Sequence, residues 1–400
     1  MKYCLYIQPY TYIKINNDKL LFYSCLSNQL YVETDIEVCS FLYNSSLEKE
    51  YICDLSEQEA ANESIKIFTS KIRKYFMGDI IKQTNSETPI VFVPKPKIQS
   101  ENLTQDNKSK LWDGENILNN VFTLNIYTNG VEYADYFANA HKQFLFPIQS
   151  EQELILEKLQ GVFKTNNFHN LRDINIVGSQ QYSTFEKLVR FLQTKDIAKT
   201  YVFLSDNLET DRLISIDDKT IYEIIFAVTS AIEKDIIKIL EKLKGGNFVF
   251  RFVVSTEEEL QKINFLIEKY NIDDYEINPY FTGRNFDFFK NNVFVNQSDL
   301  EMVQLTMQDI MAKSKLNPLT FGKLSIMPNG DVFSNLNCPK IGNLYNESIK
   351  SIIMNEFDKS YSWTYSRNKK QECEKCVFNL LCPPITNYEY CNGISKICNF

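Results

Sequence analysis

The sequence predicts an α/β protein in which a parallel sheet, either barrel-like or open, lies between a small β-then-α module and a cysteine-rich tail. Residues 3–33 alternate between apolar and polar positions, which is typical of β-strands with one buried and one exposed face. From residue 122 onward, short apolar runs alternate with helical patterns. Five of the ten cysteines lie between positions 373 and 398. The predicted division is a module over 1–85, a linker over 86–117, a barrel over 118–315 and a cysteine-rich domain over 316–400.

The first module is predicted from turn residues and helical periodicity. Asn16-Asn17-Asp18 and Ser27-Asn28 separate runs of alternating residues, which predicts a three-stranded meander beginning near Tyr3. Apolar positions at helical spacing predict helices over Asp35–Tyr43 and Glu57–Phe76. The polar stretch that follows contains two closely spaced prolines and is predicted to be a connector.

Strands and helices then alternate at a spacing typical of right-handed βαβ units. A capping box of Ser255 with Glu258 marks the start of the last helix. The predicted strands are Phe122–Tyr127, Ile174–Val177, Tyr201–Leu204, Phe248–Val254 and Tyr275–Ile277. The predicted helices are Glu151–Leu159, Thr184–Leu192, Ile221–Leu243 and Thr256–Tyr270.

A β-hairpin is predicted at the entrance to the tail. Leu324–Met327 and Asp331–Phe333 are strand-like and flank the turn residues Pro328-Asn329-Gly330. The hairpin therefore leads directly into the cysteine-rich region.

The charge and the apolar pattern exclude several kinds of partner. The net charge of −8 provides no basic face for nucleic acid and disfavours an anionic membrane surface. The longest apolar run, Ile224 to Val228, is too short to span a bilayer. The first residues enter a strand pattern at once, unlike a secretory signal. We expect a cytoplasmic protein with neither nucleic acid nor membrane as a partner, in which cysteines are thiols or metal ligands and not disulfides.

The tail cysteines have the spacing of a metal centre. Cys373-x2-Cys376 places two thiols on one turn, Cys382 follows after five residues, and Cys398 can return from a loop as a fourth ligand. Soft sulfur ligands favour iron–sulfur clusters or zinc over hard cations. No histidine lies nearby, so the candidate metal centres are a [4Fe–4S] cluster and a Cys4 zinc site. A group of buried thiols without a metal is the other interpretation of these cysteines.

The tail resembles the SPASM domain that follows the catalytic barrel in many radical SAM peptide maturases. The resemblance is carried by Leu324–Phe333, by Ile341-Gly342-Asn343-Leu344, and by the C-x2-C-x5-C run that begins at Cys373. In such domains that run and one distal cysteine hold the second auxiliary [4Fe–4S] cluster. The resemblance implies one cluster with the ligands Cys373, Cys376, Cys382 and Cys398.

The ligand positions of a first auxiliary cluster are not kept. By the family spacing, two of its cysteines would stand where this sequence has Glu347 and Thr386. The resemblance therefore implies that this cluster is lost, and it assigns no role to Cys338 or Cys391.

The middle of the chain resembles a radical SAM barrel, with Phe122–Gly130 as its first strand and following loop. Enzymes of that family need C-x3-C-x2-C in this loop, whereas residues 130–137 are Gly-Val-Glu-Tyr-Ala-Asp-Tyr-Phe, and no cysteine occurs from 54 to 337. Gly178-Ser179-Gln180 stands where the family's acidic element would bind the methionine amino group, without its carboxylate. The resemblance implies a partial (β/α) barrel in which neither S-adenosylmethionine nor radical chemistry is expected.

The combination resembles the pseudo-radical-SAM proteins of Bacteroidales-type systems that mature ribosomally synthesised peptides (RiPPs). Further matching stretches are Asn278–Asn285, Trp363-x3-Arg367 and Cys382–Glu389. The resemblance covers nearly the whole chain and implies a non-catalytic protein whose partners are a precursor peptide and a cognate maturase.

Two alternatives for the whole chain stay open, a stand-alone peptide-modifying enzyme with non-radical chemistry and a Cys4 zinc scaffold. The first module resembles a PqqD-type element, which would bind a leader peptide by adding a strand to a sheet edge. A structural cap on the barrel is the other interpretation of that module.

Overall fold

The computed structural model describes eight segments of the chain. Most of the predicted linker over 86–117 lies outside these segments. Leu243, the last residue of a predicted helix, lies outside them as well. The predicted division into domains stays a prediction. The described residues are 2–16, 18–45, 47–83, 114–209, 220–228, 231–242, 247–391 and 394–399.

The first module contains two antiparallel three-stranded sheets with the orders β5-β1-β6 and β2-β3-β4. The predicted meander is present as β2 to β4, but the first strand does not belong to it. Tyr6 of β1 pairs with Ile52 and Asp79 instead, because the chain turns at residues 8–10 and starts a new sheet. The strands are β1 Lys2–Ile7, β2 Thr11–Ile15, β3 Leu20–Ser24, β4 Gln29–Glu33, β5 Ile52–Ser56 and β6 Gly78–Gln83.

The helices of this module pack on both sheets. The predicted helix over Asp35–Tyr43 is present, whereas the one over Glu57–Phe76 is divided at Asn62. Asn62 ends one helix, and its side chain accepts the N–H of Ile65 as the N-cap of the next. The helices are α1 Ile36–Tyr43, α2 Leu47–Glu50, α3 Glu57–Ala61 and α4 Glu63–Lys74.

The centre of the molecule is a nine-stranded sheet with the order β12-β11-β10-β9-β8-β7-β13-β14-β15. The seven strands from β12 to β13 are parallel, and the last two are antiparallel. All the predicted strands and the predicted hairpin are present. The strands are β7 Thr123–Tyr127, β8 Asp173–Val177, β9 Ala198–Leu204, β10 Thr220–Ala227, β11 Phe248–Val254, β12 Tyr275–Pro279, β13 Lys323–Ile326, β14 Asp331–Phe333 and β15 Gly342–Asn343.

The prediction of one helix over Ile221–Leu243 is wrong. Thr220–Ala227 is the strand β10, paired on both sides, and the helix begins only at Ile232. A short apolar run is compatible with a buried strand as well as with a helix. Here both faces of the run are covered, so it shows none of the alternation that would have marked a strand.

Two helix starts also differ from their predictions. The helix predicted from Glu151 begins at Leu156, because the N–H of Leu154 bonds the carbonyl of Thr128 and holds the preceding residues in a loop. The predicted capping box of Ser255 with Glu258 is wrong by one residue. Thr256 accepts the N–H of Glu259, whose carboxylate in turn accepts the N–H of Ser255.

The remaining helices lie outside the sheet or in the tail. Within the described part of the chain, none of the helices is long and apolar enough to cross a bilayer. The helices are α5 Ala140–Gln143, α6 Leu156–Thr165, α7 Phe185–Gln193, α8 Ile232–Lys242, α9 Glu257–Tyr270, α10 Phe286–Asn292, α11 Gln297–Glu301, α12 Met307–Lys315, α13 Ile349–Lys359, α14 Gln371–Glu374 and α15 Asn387–Cys391.

The two faces of the sheet carry different residues. On the outer face, aromatic and aliphatic side chains such as Phe203, Ile224 and Phe252 pack against the helices and form the main core. On the inner face, the carboxyl-terminal half is apolar and the amino-terminal half is polar. The inner face is therefore where this sheet departs from an ordinary parallel sheet that is apolar on both faces.

Candidate metal centre

Three of the four predicted ligands lie on one compact stretch of the tail. Cys373 belongs to the short helix α14, and the N–H of Cys376 bonds the Cys373 carbonyl at 3.0 Å, which turns the chain sharply between them. The N–H of Cys382 bonds the carbonyl of Phe378 at 3.0 Å and closes a second turn. These turns bring the three thiols to one side of the segment.

Cys398 reaches the same place from the far end of the tail. The N–H of Val295 bonds the carbonyl of Ile397 at 3.0 Å, and the N–H of Asn399 bonds the carbonyl of Val295 at 3.0 Å. These two bonds make a short parallel bridge between Val295 and Cys398. The bridge places Cys398 opposite the other three cysteines.

All four cysteines line one cavity of about 110 Å³. The cavity is also lined by Arg367, whose side chain is almost fully buried. Burial raises the pKa of the Cys382 thiol to about 12, Arg367 opposes this rise, and the three other thiols reinforce it. The four sulfurs are therefore close enough to influence one another.

Buried cations surround this cavity. The guanidinium Nη1 of Arg367 lies 3.3 Å from the Sγ of Cys373 and donates to it. The ammonium group of Lys313 donates to the carbonyl of Cys382 at 3.2 Å. The carboxylate of Glu389, which is fully buried, binds Arg367 through both oxygens and Lys370 at 2.8 Å. Sequence reasoning did not identify this network.

The donor set and its surroundings fit an iron–sulfur group. Thiolates are the ligands of such clusters, and hydrogen bonds to the sulfurs are part of their usual environment. Among the described residues, no group of three or more His, Cys, Asp or Glu side chains is arranged to hold a single metal ion. The assignment of Cys373, Cys376, Cys382 and Cys398 as ligands is therefore taken up below as a proposal.

The positions that the family uses for another cluster have structural contacts here. The carboxylate of Glu347 accepts the N–H of Asn343 at 2.9 Å, and the N–H of Thr386 bonds Glu389 at 3.0 Å. The thiol of Cys338 contacts the carbonyl of Tyr361 at 3.6 Å. Neither Cys338 nor Cys391 is among the described residues that line the four-cysteine cavity.

The loop after β7 closes the carboxyl end of the sheet with aromatic rings. We define the aromatic plug as Tyr133, Phe137, Phe144, Phe146 and Tyr280. Phe146 stands edge-on to Tyr133 at 5.3 Å, and Phe137 lies 5.6 Å from Tyr280 between ring centroids. The plug packs against the inward side chains at the ends of five strands, which are Tyr127, Val177, Val202, Ile225 and Val253.

The base of this loop is tightly fixed. A Cβ atom at Gly130 would lie 2.0 Å from the carbonyl oxygen of Ser150, so the two ends of the loop touch at a position that admits only glycine. The N–H of Val131 bonds the carbonyl of Ile148 at 2.8 Å. The loop after β7 is therefore closed at its base by backbone contacts.

Gly178-Ser179-Gln180 lies beside this loop at the end of β8. The hydroxyl of Ser179 accepts the amide of Asn129 at 3.1 Å, and Gln180 bonds both backbone groups of Glu209. These polar side chains are engaged in holding neighbouring loops together.

A second cavity, of about 520 Å³, lies against the polar half of the inner face. We call it the polar chamber. Asn125 links Ser325 and Asn175 in a hydrogen-bonded row across three strands. On its other side Arg251 lies 3.0 Å from both Glu223 and Glu276, and burial raises the pKa of Glu223. The volume is within the range of small-ligand pockets.

Comparisons with known proteins give only distant similarities. No protein-family model matches the chain, and no curated protein matches it. Crystal structures of SuiB from Streptococcus suis bound to its precursor peptide SuiA, and bound to S-adenosylmethionine, share 14% and 13% identity, each over 94% of both chains with a TM-score of 0.48. BtrN in complex with AdoMet and 2-DOIA shares 10% identity over 64% of this chain and 92% of BtrN, with a TM-score of 0.30. These similarities assign no ligand or activity to this chain.

Proposed function

We propose that this chain is a non-catalytic partner in the maturation of a ribosomally synthesised peptide. It binds the precursor peptide and a cognate maturase, and carries one [4Fe–4S] cluster as a structural or electron-relay element. One observation carries the proposal. Four cysteines meet at one cavity in the tail, whereas the loop over 130–137, which would hold a catalytic cluster, has no cysteine and contributes Tyr133 and Phe137 to the aromatic plug.

The size and chemistry of the cavity support a cluster with the ligands Cys373, Cys376, Cys382 and Cys398. A single zinc ion holds its sulfurs at about 2.3 Å. A cavity of about 110 Å³ exceeds the roughly 30 Å³ that one water occupies in the liquid, and it suits a group of several atoms. When bound, such a cluster would accept or release one electron, and the protein's own residues would set its potential.

The contents of the plug support the absence of radical chemistry. A radical SAM centre needs three thiolates and room for S-adenosylmethionine at the carboxyl end of the sheet. In this chain the loop over 130–137 supplies Tyr133 and Phe137 to a packed aromatic cluster instead. The sequence of the loop offers no thiol. A cavity of about 890 Å³ remains beside the first residues of the loop, and its lining includes Gly130, Glu132 and Ser179.

The edge strand β4 is the candidate for binding the peptide. It pairs with β3 on one side and forms one edge of its sheet within the described residues. Lys71 of α4 lies beside this edge, 3.2 Å from Glu33 and over the ring of Tyr31. A peptide that adds a strand here would gain backbone hydrogen bonds and contact these side chains.

The same sheet also has a packing role. One of its faces, including Tyr12, Leu21 and Tyr23, packs against Val377 and Leu381 of the tail. This contact supports the interpretation of the module as a cap. The two roles are compatible, because packing uses a face of the sheet and strand addition uses an edge.

The polar chamber is the feature that a stand-alone, non-radical enzyme would use. Two of its charged side chains, Arg251 and Glu223, form an ion pair at 3.0 Å, which suits the binding of a ligand. Conversion of a precursor peptide by the isolated protein would favour this alternative.

Metal analysis after anaerobic reconstitution tests the cluster. We expect about four irons per chain and an absorption band at about 400 nm. We also expect that the protein forms no 5′-deoxyadenosine when it is incubated with S-adenosylmethionine. Cys376→Ser and Cys398→Ser should lose the band, whereas Cys39→Ser, which alters a buried thiol in the first module, should keep it. Stoichiometric zinc without the band would replace the cluster with a Cys4 zinc site. Production of 5′-deoxyadenosine would overturn the proposal.

Strand addition is tested with a precursor peptide encoded beside the gene. Binding is measured by fluorescence anisotropy with the natural leader and with leaders that carry single N-methylated backbone amides. Removing alternate amide protons should weaken binding if β4 pairs with the leader, since side chains are unchanged. Equal affinity for all the leaders would exclude strand addition.

A further inference from the structure

We propose that Arg367 is a positioning residue for the cluster, which orients Cys373 and raises the reduction potential of the cluster through an N–H···S hydrogen bond. The inference rests on the proposed function, since it assumes that the four cysteines hold a [4Fe–4S] group. It goes beyond that function by assigning the control of the potential to one side chain. That side chain lies six residues before the C-x2-C-x5-C run.

The first step of the inference is the direct contact. Nη1 of Arg367 donates to the Sγ of Cys373 at 3.3 Å, within the range for a hydrogen bond to sulfur. Arg367 is only 7% exposed and lines the four-cysteine cavity. Its charge is therefore poorly screened by water and acts on the sulfur at short range.

The second step is that the guanidinium has no freedom to turn away. Its Nε donates to the carbonyl of Pro383 at 2.5 Å, and its Nη2 donates to the carbonyl of Pro384 at 3.3 Å. Glu389 binds the other edge with two hydrogen bonds of 3.0 and 3.1 Å. The planar guanidinium is thus fixed by these three partners, and its remaining N–H points toward Cys373.

The third step is the sum of charges around the cavity. Among the described residues that line the cavity, Arg367 and Lys396 are cationic and Glu372 is anionic. Glu389 is shared between Arg367 and Lys370, so the balance of these charges stays positive. A cluster becomes more negative when it is reduced. A hydrogen bond and a positive charge beside one of its sulfurs therefore stabilise the reduced state and raise the potential.

Glu389 has a defined part in this arrangement. It contacts Arg367 and does not reach the sulfur in the described hydrogen bonds, so it orients the guanidinium. Glu389→Gln keeps one acceptor for the guanidinium but removes a negative charge from the surroundings of the cluster, so we expect it to shift the potential in the positive direction, opposite to Arg367→Gln.

The experiment compares the reconstituted full-length protein with Arg367→Gln, Arg367→Lys and Glu389→Gln. Iron content and the visible band report loading, circular dichroism reports folding, and a redox titration followed by electron paramagnetic resonance gives the midpoint potential. The matched control is Arg190→Gln, since Arg190 is an exposed arginine on α7.

We expect Arg367→Gln to load iron and to shift the midpoint to a more negative value. Arg367→Lys should recover part of the shift, because it restores the charge without the fork. Arg190→Gln should match the wild type. Should Arg367→Gln fail to fold, Arg367→Lys still gives a shift in the negative direction, and Glu389→Gln, which removes a negative charge, should shift the midpoint in the positive direction.

The outcomes separate this inference from the proposed function. A wild-type protein that holds no cluster would overturn both. A wild-type protein that holds four irons, with the same midpoint in all three variants at Arg367 and Glu389, would overturn only the assignment of Arg367.

Discussion

The hydroxyl of Tyr23 accepts the backbone N–H of Leu305 at 2.8 Å and joins the first module to the segment that precedes the cysteine-rich tail. Tyr23 is fully buried, and its ring belongs to the apolar cluster that also contains Val295 and Cys382. Residues 282 positions apart in the chain are thus connected by one hydrogen bond. The position of the first module is therefore coupled to the walls of the four-cysteine cavity.

Tyr23→Phe should destabilise the protein by about 1–3 kcal/mol, because it leaves the buried N–H of Leu305 without its acceptor. The measurement is the free energy of unfolding in urea. Tyr43→Phe removes a hydroxyl from a half-exposed ring on α1 and is the control, with an expected change within about 0.5 kcal/mol. Equal values for the two variants would show that the Tyr23 bond contributes nothing.

Phe146→Ala should lower the free energy of unfolding by about 3–5 kcal/mol, the usual cost of removing a buried aromatic ring. Phe146 is 1% exposed. Its ring stacks with Phe137 and makes edge-on contacts with Tyr133 and Phe144. Phe265→Ala, on the exposed side of α9, is the control and should cost far less. A small effect at Phe146 would mean that the plug does not support the sheet.

Stability should depend on pH through His141. Burial, with a smaller contribution from the charge of Lys142, lowers the pKa of His141 to about 4 from about 6.5 in the unfolded chain. As the pH falls from 6.5 to 4, the imidazole binds a proton in the unfolded chain but not in the folded chain. The free energy of unfolding therefore decreases over that range of pH.

The test at this position is His141→Gln, which should flatten the loss of stability below about pH 6.5. Urea unfolding at about pH 7.5 and about pH 5 measures it. His169→Gln, at an exposed loop position, controls for the loss of an imidazole. If His141→Gln keeps the full dependence on pH, other groups cause it.

Removing the metal should loosen the tail more than the sheet. A bound cluster ties Cys373, Cys376, Cys382 and Cys398 together, and metal binding adds to folding free energy wherever its ligands lie. Hydrogen exchange of the chelated and reconstituted forms should therefore differ most in residues 371–399 and little in β9 to β11. A uniform change throughout the chain would contradict a local role for the metal.

Periodicity predicted most of the sheet, because the strands are short apolar runs between helices with clear polar faces. It failed at Thr220–Ala227, where both faces are buried and a strand resembles the start of the helix that follows it. It also assigned the first strand to the wrong sheet, since alternation does not encode which strands pair.

The candidate site was only partly predictable for a similar reason. The cysteines stand out by their spacing, and the structure brings all four predicted ligands to one cavity. Arg367 and Glu389 stand in two separate stretches that carry the resemblance and are 22 positions apart, so only the folded chain shows that they act together. The polar chamber likewise depends on residues from five or more separate strands.

The aromatic plug has an evolutionary consequence. Three substitutions, at positions 130, 134 and 137, would write C-x3-C-x2-C into residues 130–137, and the last of them would remove the ring of Phe137 from the plug. One of the positions, Gly130, admits no side chain at all. Loss of a buried ring lowers stability. Introducing the three-cysteine motif would therefore cost stability at two of its three positions, beyond the number of mutations that the motif itself requires.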